Sequence, residues 1–389
     1  MIRRLRLSLC AIFFGILALP ALAHKASDSY LSLQVGVGDT AASINGQWDI
    51  ALRDLDFAIG IDANGDGEIT WGEVKDRHQA IAAYALSRLQ LRGDGEACLA
   101  KPSEHLVDEH TDGAYAVLRF TVSCARPFSQ LEIDYRLLFD VDPQHRGLLR
   151  FEQPGRLEQG GATRTAILSP EQPTLRLDVT TAGTSSRWGE LRQYGREGIW
   201  HIWIGFDHVL FLISLLLPAV LHLRARAWQP VDAFRPAFWD VVKIVTAFTV
   251  AHSITLTLAT LGVVSLPSRL VESAIAISVV LAAANNLYPV VGGSRWMVAF
   301  AFGLIHGFGF ATVLADLGLR SSTLLIALIG FNVGVEIGQL AIVLLFLPIA
   351  YWIRATWTYR RMVVMGGSVV IILIAAIWFC ERAFNLDLV

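Results

Sequence analysis

The sequence contains little charge, and the charges that it has are nearly balanced. Only 17% of its 389 residues are Asp, Glu, Lys or Arg, whereas 54% are hydrophobic. A soluble protein of this length would not be so apolar on average, so membrane spans are expected and the lipid bilayer is the first expected partner. The formal net charge of −2 provides no basic surface for nucleic acid, which excludes a nucleic-acid partner.

The chain also has few cysteines, four in all. Two of them, Cys98 and Cys124, lie in the half of the chain that is predicted to be exported. An oxidising compartment favours disulfide formation, so these two are predicted to pair. A disulfide that closes a loop of this size would stabilise the domain by roughly 2–4 kcal/mol. Cys380, near the end of the last apolar segment, is predicted to be a small buried hydrophobic residue.

The N-terminus has the residue order of a secretory signal peptide. Three arginines lie among the first six residues, an apolar run extends from Leu7 to Leu19, and small residues lead to Ala23. This order predicts that residues 1–23 are a signal peptide cleaved after Ala23, with an uncleaved anchor as the alternative. Together with the membrane spans expected from the composition, export by this route predicts a multi-pass protein of the bacterial inner membrane whose N-terminal domain lies on the periplasmic side.

Residues 24–185 alternate apolar and polar side chains in several short stretches bounded by Gly, Pro and Asp. The clearest stretches are residues 30–35, 115–122, 131–135 and 174–179. Alternation with period two is typical of strands that bury one face, and it predicts an exported β-sandwich. A helical insertion is predicted at about residues 52–91. A periplasmic protein is a further candidate partner of this domain.

The second half of the chain contains six long apolar segments. They cover residues 199–222, 238–262, 270–291, 296–318, 323–350 and 362–380. Each approaches or exceeds the roughly 20 apolar residues that a bilayer core requires. The predicted fold class is therefore α+β and multi-domain, with an interfacial linker at residues 186–198, a six-helix transmembrane bundle at 199–380 and a short tail at 381–389. Because the N-terminal domain is predicted to be exported, an even number of spans returns the C-terminus to the periplasm. The concentration of lysine and arginine in the loops assigned to the cytoplasm agrees with this orientation.

The twelve residues from Asp62 to Glu73 match the EF-hand calcium loop. Oxygen-bearing side chains lie at loop positions 1, 3, 5, 9 and 12, and a glycine at position 6 permits the sharp turn. Position 7 contributes its backbone carbonyl in this pattern. The predicted Ca²⁺ ligands are Asp62, Asn64, Asp66, Glu68, Thr70 and Glu73. The alternative is a carboxylate-rich turn that binds no metal.

Six ionisable side chains, carried by four of the six apolar segments, are candidates for one shared site. They are His201, Asp207, His208, His252, His306 and Glu336. Such groups are costly in hydrocarbon, so they persist there only when they are paired, hydrated or bound to metal. The helical rise of about 1.5 Å per residue places four of them at a similar depth, with His201 nearer the outer surface. A shared metal-capable site is predicted, although any single histidine could instead be a packing residue.

The fifth apolar segment carries two different faces. Gly330, Gly334 and Gly338 form a ridge of small residues that predicts close helix packing. Polar residues at relative positions i, i+4 and i+7 (Asn332, Glu336 and Gln339) lie on a broadly different face. A helix that is tightly packed on one side and polar on another is predicted to lie inside the bundle.

Two motifs resemble the HupE/UreJ family of membrane proteins, whose better-known members are regarded as nickel permeases. The motifs are His201-x-x-x-Gly205-x-Asp207-His208 and Gly303-x-x-His306-Gly307. The resemblance covers residues 195–380 and is strongest to the branch with an exported N-terminal domain. It implies ligand roles for His201, Asp207, His208 and His306. Imidazole and carboxylate ligands suit nickel, cobalt, zinc, copper and iron almost equally, so the residues do not select one metal, and nickel, cobalt or zinc is expected.

The combined prediction is a transporter-like protein that binds and translocates a divalent transition metal. Two alternatives remain open. An intramembrane zinc-type hydrolase would use histidines and an acid to hold a metal with an open coordination position. A non-catalytic assembly factor would dock a partner through its exported domain and would use the polar bundle only for structure.

Overall fold

The structure, a computed structural model, describes residues 27–36, 42–110, 113–153, 162–179, 187–224, 227–290, 294–309, 311 and 321–384. The chain separates into two compact units, one β-rich and contained mainly within residues 24–186, the other helical from residue 187 onward. The predicted signal peptide at residues 1–23 lies outside the described residues. Residues 187–198 of the predicted linker belong to a helix.

The N-terminal unit is β-rich, with two helices inserted after its second strand. Its strands are β1 (Asp28–Val35), β2 (Ser43–Ala51), β3 (Leu89–Gly93), β4 (Glu96–Ala97), β5 (Leu99–His110), β6 (Gly113–Ser123), β7 (Gln130–Tyr135), β8 (Arg146–Gln153), β9 (Ala162–Leu168) and β10 (Thr174–Asp178). Helices α1 (Leu52–Ile59) and α2 (Trp71–Ser87) occupy the insertion. The prediction of a β-rich region interrupted by helices is confirmed.

Two sheets provide the core of this unit. The first has the order β5-β6-β2-β1-β8-β9, with β1 and β8 parallel, and the second has the order β10-β7-β3-β4. Leu31 and Leu33 of β1 and Ile133 of β7 are completely buried and belong to one hydrophobic core. Period-two alternation places such residues on one face of each strand, which is why the pattern was readable in the sequence.

Cys98 and Cys124 form a disulfide, as predicted. Cys98 directly precedes β5 and Cys124 directly follows β6, so the bond joins the ends of two paired strands. Within the described residues, Cys380 is the free cysteine, and it is half-buried in the last helix.

A buried polar network connects several strands of the N-terminal unit. The Nδ1 atom of His145 lies 2.7 Å from the Ser27 hydroxyl oxygen, and its Nε2 atom lies 2.6 Å from the Tyr135 hydroxyl oxygen. The Tyr135 oxygen is 2.6 Å from the Ser29 hydroxyl oxygen, which accepts a hydrogen bond from Trp48 Nε1. Burial lowers the pKa of His145 to about 3, so this ring is neutral at neutral pH. The network therefore holds no charged imidazole.

The C-terminal unit is helical, apart from one short hairpin. Its elements are α3 (Arg187–Ile204), α4 (Phe206–Leu216), β11 (Leu221–Arg224), β12 (Ala227–Pro230), α5 (Phe234–Thr260), α6 (Ser268–Leu287), α7 (Arg295–His306), α8 (Ser321–Ile353), a π-helical segment (Tyr359–Gly366) and α9 (Gly367–Phe384). These helices carry all six of the ionisable residues that are candidates for one shared site.

Four stretches of the described chain are long and apolar enough to cross a bilayer: α5, α6, most of α8, and the π-helical segment joined to α9. The first predicted span, residues 199–222, is not one straight helix. It is divided between α3 and α4, which are bent by 70° and count as a fifth span only when taken together. The fourth predicted span begins as α7, which is a short helix of 12 residues.

The bend between α3 and α4 is centred on Gly205. A Cβ atom at this position would lie 2.6 Å from the His201 carbonyl oxygen and 3.0 Å from His208 Nδ1, so a larger residue does not fit the bend. The Asp207 carboxylate accepts a hydrogen bond from the His208 backbone N–H in the first turn of α4. Hydropathy alone did not reveal the break, because apolar residues continue on both sides of it.

Glycines allow α3 and α8 to pack backbone against backbone. A Cβ atom at Gly334 would overlap the carbonyl oxygen of Gly195, and one at Gly198 would overlap the carbonyl oxygen of Phe331. Small residues permit this close approach of two helices. The glycine ridge predicted on the fifth apolar segment therefore lies against α3.

Candidate metal centre

Three histidines from three helices bring their ring nitrogens together in the helical unit. His201 lies in the last turn of α3, His208 in the first turn of α4 and His252 in α5. One nitrogen from each ring can be chosen so that all three atoms lie within 4.8 Å of one another. His208 and His252 are 5% and 0% exposed, so two of the three are nearly shielded from the surroundings.

The spacing of the three rings is close to what one metal ion requires. Ring centroids are 4.6 Å apart for His201 and His208, and 6.3 Å apart for either of them and His252. A metal bound at about 2.0–2.1 Å in tetrahedral geometry keeps its nitrogen ligands roughly 3.3 Å apart. Small side-chain rotations therefore suffice to bring the three nitrogens to a common ion.

The bend at Gly205 is what brings His201 and His208 face to edge. Seven residues separate them, which is almost two helical turns, so a straight helix would place them about 10 Å apart along its axis. With the bend, their rings meet in a T-shaped contact. The seven-residue spacing predicts that the two side chains point in nearly the same direction. The break at Gly205 brings their rings close together.

Asp207 orients His208. Its Oδ1 atom lies 2.9 Å from His208 Nδ1, so the Nδ1–H group donates to the carboxylate. The proton on Nδ1 leaves the lone pair on Nε2, and this Nε2 atom is buried without a hydrogen-bond partner in the described part of the chain. A carboxylate that fixes the tautomer of a ligating imidazole is a common outer-shell feature of metal sites. The geometry gives Asp207 this role more directly than that of a ligand.

Asn332 orients His252 in the same way. The Asn332 Nδ2 atom donates to the Leu328 carbonyl at 2.8 Å, which leaves its Oδ1 atom directed at His252 Nδ1 at 3.3 Å. His252 Nδ1–H therefore donates to Asn332, and the lone pair is on Nε2. Among the residues that the structure describes, this Nε2 atom also has no hydrogen-bond partner. Two buried ring nitrogens, His208 Nε2 and His252 Nε2, therefore each present a lone pair that accepts no hydrogen bond from the described residues.

His306 lies beside the three histidines but is not one of the group. Its ring centroid is 5.1 Å from that of His208, and it packs against Phe211 and Phe248. Ser278 Oγ donates to the Ile275 carbonyl at 2.6 Å and lies 2.8 Å from His306 Nε2. Because the hydroxyl proton is already used, His306 Nε2–H donates to Ser278. The remaining lone pair is on Nδ1.

Glu336 lies further along the contact between α5 and α8. Its Oε1 atom accepts a hydrogen bond from Thr246 Oγ1 at 2.7 Å, and Gln339 Oε1 accepts one from Thr249 Oγ1 at 3.1 Å. With the His252–Asn332 pair, these contacts form a polar strip between the two helices. The structure therefore brings His201, His208 and His252 together, places His306 beside them, and does not place Glu336 in that group.

Sequence reasoning did not single out Ser278. A lone hydroxyl in an apolar helix carries no pattern that distinguishes it from an ordinary packing residue, so its contact with His306 became visible only in the structure. Asn332 was recognisable as part of the polar face of its segment, but its role in orienting His252 depends on the position of a second helix.

The loop that is predicted to bind calcium, Asp62 to Glu73, lies between α1 and α2. Asp62 accepts hydrogen bonds from the backbone N–H groups of Gly65 and Gly67 at 2.7 and 2.8 Å. Glu73 Oε1 accepts one from the backbone N–H of Ala63 at 3.1 Å, so the two ends of the loop converge. Both glycines have positive φ, 73° and 81°, a conformation in which other residues are strained.

The loop leads directly into α2. Thr70 caps the helix and exchanges hydrogen bonds with Glu73 in a capping box. Hydrogen bonds from backbone N–H groups, chiefly that of Gly67, lower the pKa of Asp62. Hydrogen bonds from Thr70, chiefly from its backbone N–H, lower the pKa of Glu73. Both carboxylates are therefore ionised at neutral pH. All six predicted calcium ligands lie in the loop or in the first turn of α2.

A comparison of the sequence with models of known protein families gives a match that covers the helical unit. The family model described as HupE / UreJ protein matches residues 178–382. This range is slightly more than half of the 389 residues and contains every residue of the three-histidine group. No curated protein matches the chain.

Proposed function

The chain belongs to the HupE/UreJ family of membrane proteins, and we propose that it binds a divalent transition metal at His201, His208 and His252 and carries it across the membrane. The observation that supports this proposal is the convergence of three imidazoles from three helices to within 4.8 Å of one another. Intramembrane ionisable groups usually mark the path of a substrate, and imidazole is a good ligand for nickel, cobalt and zinc.

The broken α3–α4 pair favours transport over permanent metal storage. Discontinuous helices are typical of transporter binding sites, because the break directs helix ends and backbone groups at the cargo. The break at Gly205 separates the helix with His201 from the helix with His208. Three neutral nitrogen ligands would bind moderately, and a carrier must release its cargo.

In the proposed topology, the six apolar segments cross the bacterial inner membrane, with the broken pair as the first span and α7 as the start of the fourth. The β-rich unit and the C-terminus then lie in the periplasm. The basic residues on the cytoplasmic side support this orientation. In the described residues they are Arg224, Arg235, Lys243, Arg295, Arg354, Arg360 and Arg361.

A transport assay tests the proposed function. Proteoliposomes that contain the protein and a trapped metal-sensitive fluorophore are expected to take up Ni²⁺, Co²⁺ or Zn²⁺ faster than empty liposomes. His252→Ala is expected to reduce uptake to the empty-liposome rate, because it removes a buried ligand. His222→Ala serves as the matched control, since His222 lies in the β11 hairpin. Equal uptake by the wild type and the His252→Ala variant would contradict the proposal.

The same ligands would also suit a zinc-type hydrolase, because three histidines leave one coordination position for a water molecule. The rate at which bound metal exchanges distinguishes a hydrolase from a carrier. A hydrolase retains stoichiometric metal through dialysis against a chelator, whereas the proposed carrier exchanges its metal within the time of an uptake experiment.

The proposal extends to Ca²⁺ in the loop from Asp62 to Glu73. Glu73→Gln is expected to lower calcium affinity by at least tenfold, because position 12 supplies both carboxylate oxygens in this pattern. Isothermal titration of the full-length protein measures the change. Glu68→Gln is the matched control, since position 7 binds through its backbone carbonyl. Equal losses in the two variants would indicate a general effect of negative charge and not EF-hand coordination.

A further inference from the structure

A groove separates helix α2 from the edge strand β5 in the N-terminal unit. Its volume is about 710 Å³. Two histidines, one from each element, face each other across it, with ring centroids 6.1 Å apart in a T-shaped arrangement. They are His78 and His105, and both line the groove. Neither belongs to the calcium loop or to the helical unit.

The hydrogen bonds of His78 leave one nitrogen available. Its Nδ1 atom lies 2.7 Å from the Lys75 carbonyl oxygen, so Nδ1–H donates to the preceding turn of α2. The lone pair is therefore on Nε2, at the far side of the ring. His78 is exposed, which leaves its side chain room to adjust.

His105 is half-buried, and both of its ring nitrogens are shielded without a hydrogen-bond partner among the described residues. A buried polar group in this state is costly unless a ligand or ion satisfies it. Burial, and secondarily His78, lowers the pKa of His105, which keeps the ring neutral and able to ligate metal at neutral pH. His105 is therefore a nitrogen donor that lacks a bonding partner.

An irregularity in β5 places a carboxylate next to this ring. The register of β5 against β6 shifts between Pro102 and Glu104, and Glu104 and His105 both line the groove although they are consecutive residues. In a regular strand, consecutive side chains point to opposite faces. Glu104 forms an ion pair with Arg119 at 2.7 Å, and both partners are about half exposed. Such an exposed pair contributes little stability, so the carboxylate can exchange partners.

We propose that His78 and His105 form a second transition-metal site, in the N-terminal unit, for a divalent ion such as Zn²⁺ or Co²⁺, with Glu104 or water completing the coordination. Two imidazoles on one tetrahedral metal have ring centroids roughly 5 Å apart, given metal–nitrogen distances of about 2.0–2.1 Å. The observed 6.1 Å requires a movement of about 1 Å, which the exposed side chain of His78 allows. The site is independent of the proposed function.

Cobalt titration of the full-length protein tests this site. The experiment uses apo protein in detergent, with the calcium loop saturated by Ca²⁺ and with His208→Ala/His252→Ala removing ligands of the helical unit. This background variant is expected to bind one equivalent of Co²⁺. His78→Gln is expected to weaken that binding by more than the roughly 100-fold cost of losing an outer-shell partner. His105→Leu is expected to weaken Co²⁺ binding by a similar factor, and leucine is chosen because an apolar side chain is compatible with the groove.

The control is His110→Gln, which removes another imidazole from β5 and is expected to leave the titration unchanged. Because His78 is exposed on a helix, its replacement by glutamine does not endanger folding, and circular dichroism verifies this. A background variant that binds no Co²⁺ would overturn the proposal, as would unchanged affinity in His78→Gln/His105→Leu. If the helical unit binds no metal, the wild type and the background variant will bind equal amounts of Co²⁺. This result would contradict the proposed function but not the site in the N-terminal unit.

Discussion

His252→Ala is expected to abolish transition-metal binding by the helical unit, and His306→Ala is expected only to weaken it. His252 contributes a buried nitrogen to the group of three, whereas His306 lies beside that group and donates a hydrogen bond to Ser278. With two ligands left, the affinity should fall by more than the roughly 100-fold loss that follows removal of an outer-shell partner.

The measurement is elemental analysis and titration of detergent-purified protein with Ni²⁺, Co²⁺ and Zn²⁺. A His78→Gln background removes a proposed ligand from the N-terminal unit, so the remaining equivalent reports on the helices. Stoichiometric binding that survives His252→Ala would contradict the assigned ligands. A greater loss from His306→Ala than from His252→Ala would instead place the ion nearer to His306 Nδ1.

Gly198→Ala and Gly334→Ala are expected to disrupt the packing of α3 on α8. In each variant the added methyl group would overlap a carbonyl oxygen of the opposite helix, and backbone atoms cannot rotate away as a side chain can. Overpacking of side chains costs roughly 1–3 kcal/mol, and a clash with backbone should exceed that range. We expect a large loss of thermal stability and a poor yield of folded protein.

Gly195→Ala provides a matched control on the same helix. A Cβ atom there would lie 3.5 Å from the Gly330 carbonyl oxygen, which is an ordinary van der Waals distance. Thermal unfolding in detergent, followed by size-exclusion chromatography, compares the three variants. Similar melting temperatures for Gly195→Ala and Gly198→Ala would show that the helices can separate without loss of stability.

The features that the sequence predicted well are those that depend on local periodicity or composition. Alternation predicted the strands, apolar length predicted α5, α6 and α8, and the assumption of an oxidising compartment predicted the Cys98–Cys124 pair. The polar residues within apolar segments were also recognisable, because they are rare in hydrocarbon. In each case a few neighbouring residues contained the whole signal.

The features that the sequence did not reveal depend on how separate segments meet. The break at Gly205 lies inside a segment that is apolar enough overall to be taken for one span, and the helix that begins the fourth predicted segment ends at His306 within the described chain. Glu336 and His252 are both on the polar strip, but Glu336 lies about one helical turn from Asn332 and contacts Thr246, nearly two turns from His252, which separates it from the three histidines. Such offsets are set by helix packing, which periodicity does not encode.

The glycine contact between α3 and α8 determines which part of the site can move. Because no side chains separate the two helices at Gly195 and Gly334, they pack backbone against backbone, and we expect them to move together as one body that carries His201. The bend at Gly205 separates this body from α4, so we expect α4, with His208, to be the part that rotates when the site opens. Opening and closing around a bound ion would change the distance between these two histidines while the stationary pair keeps its shape.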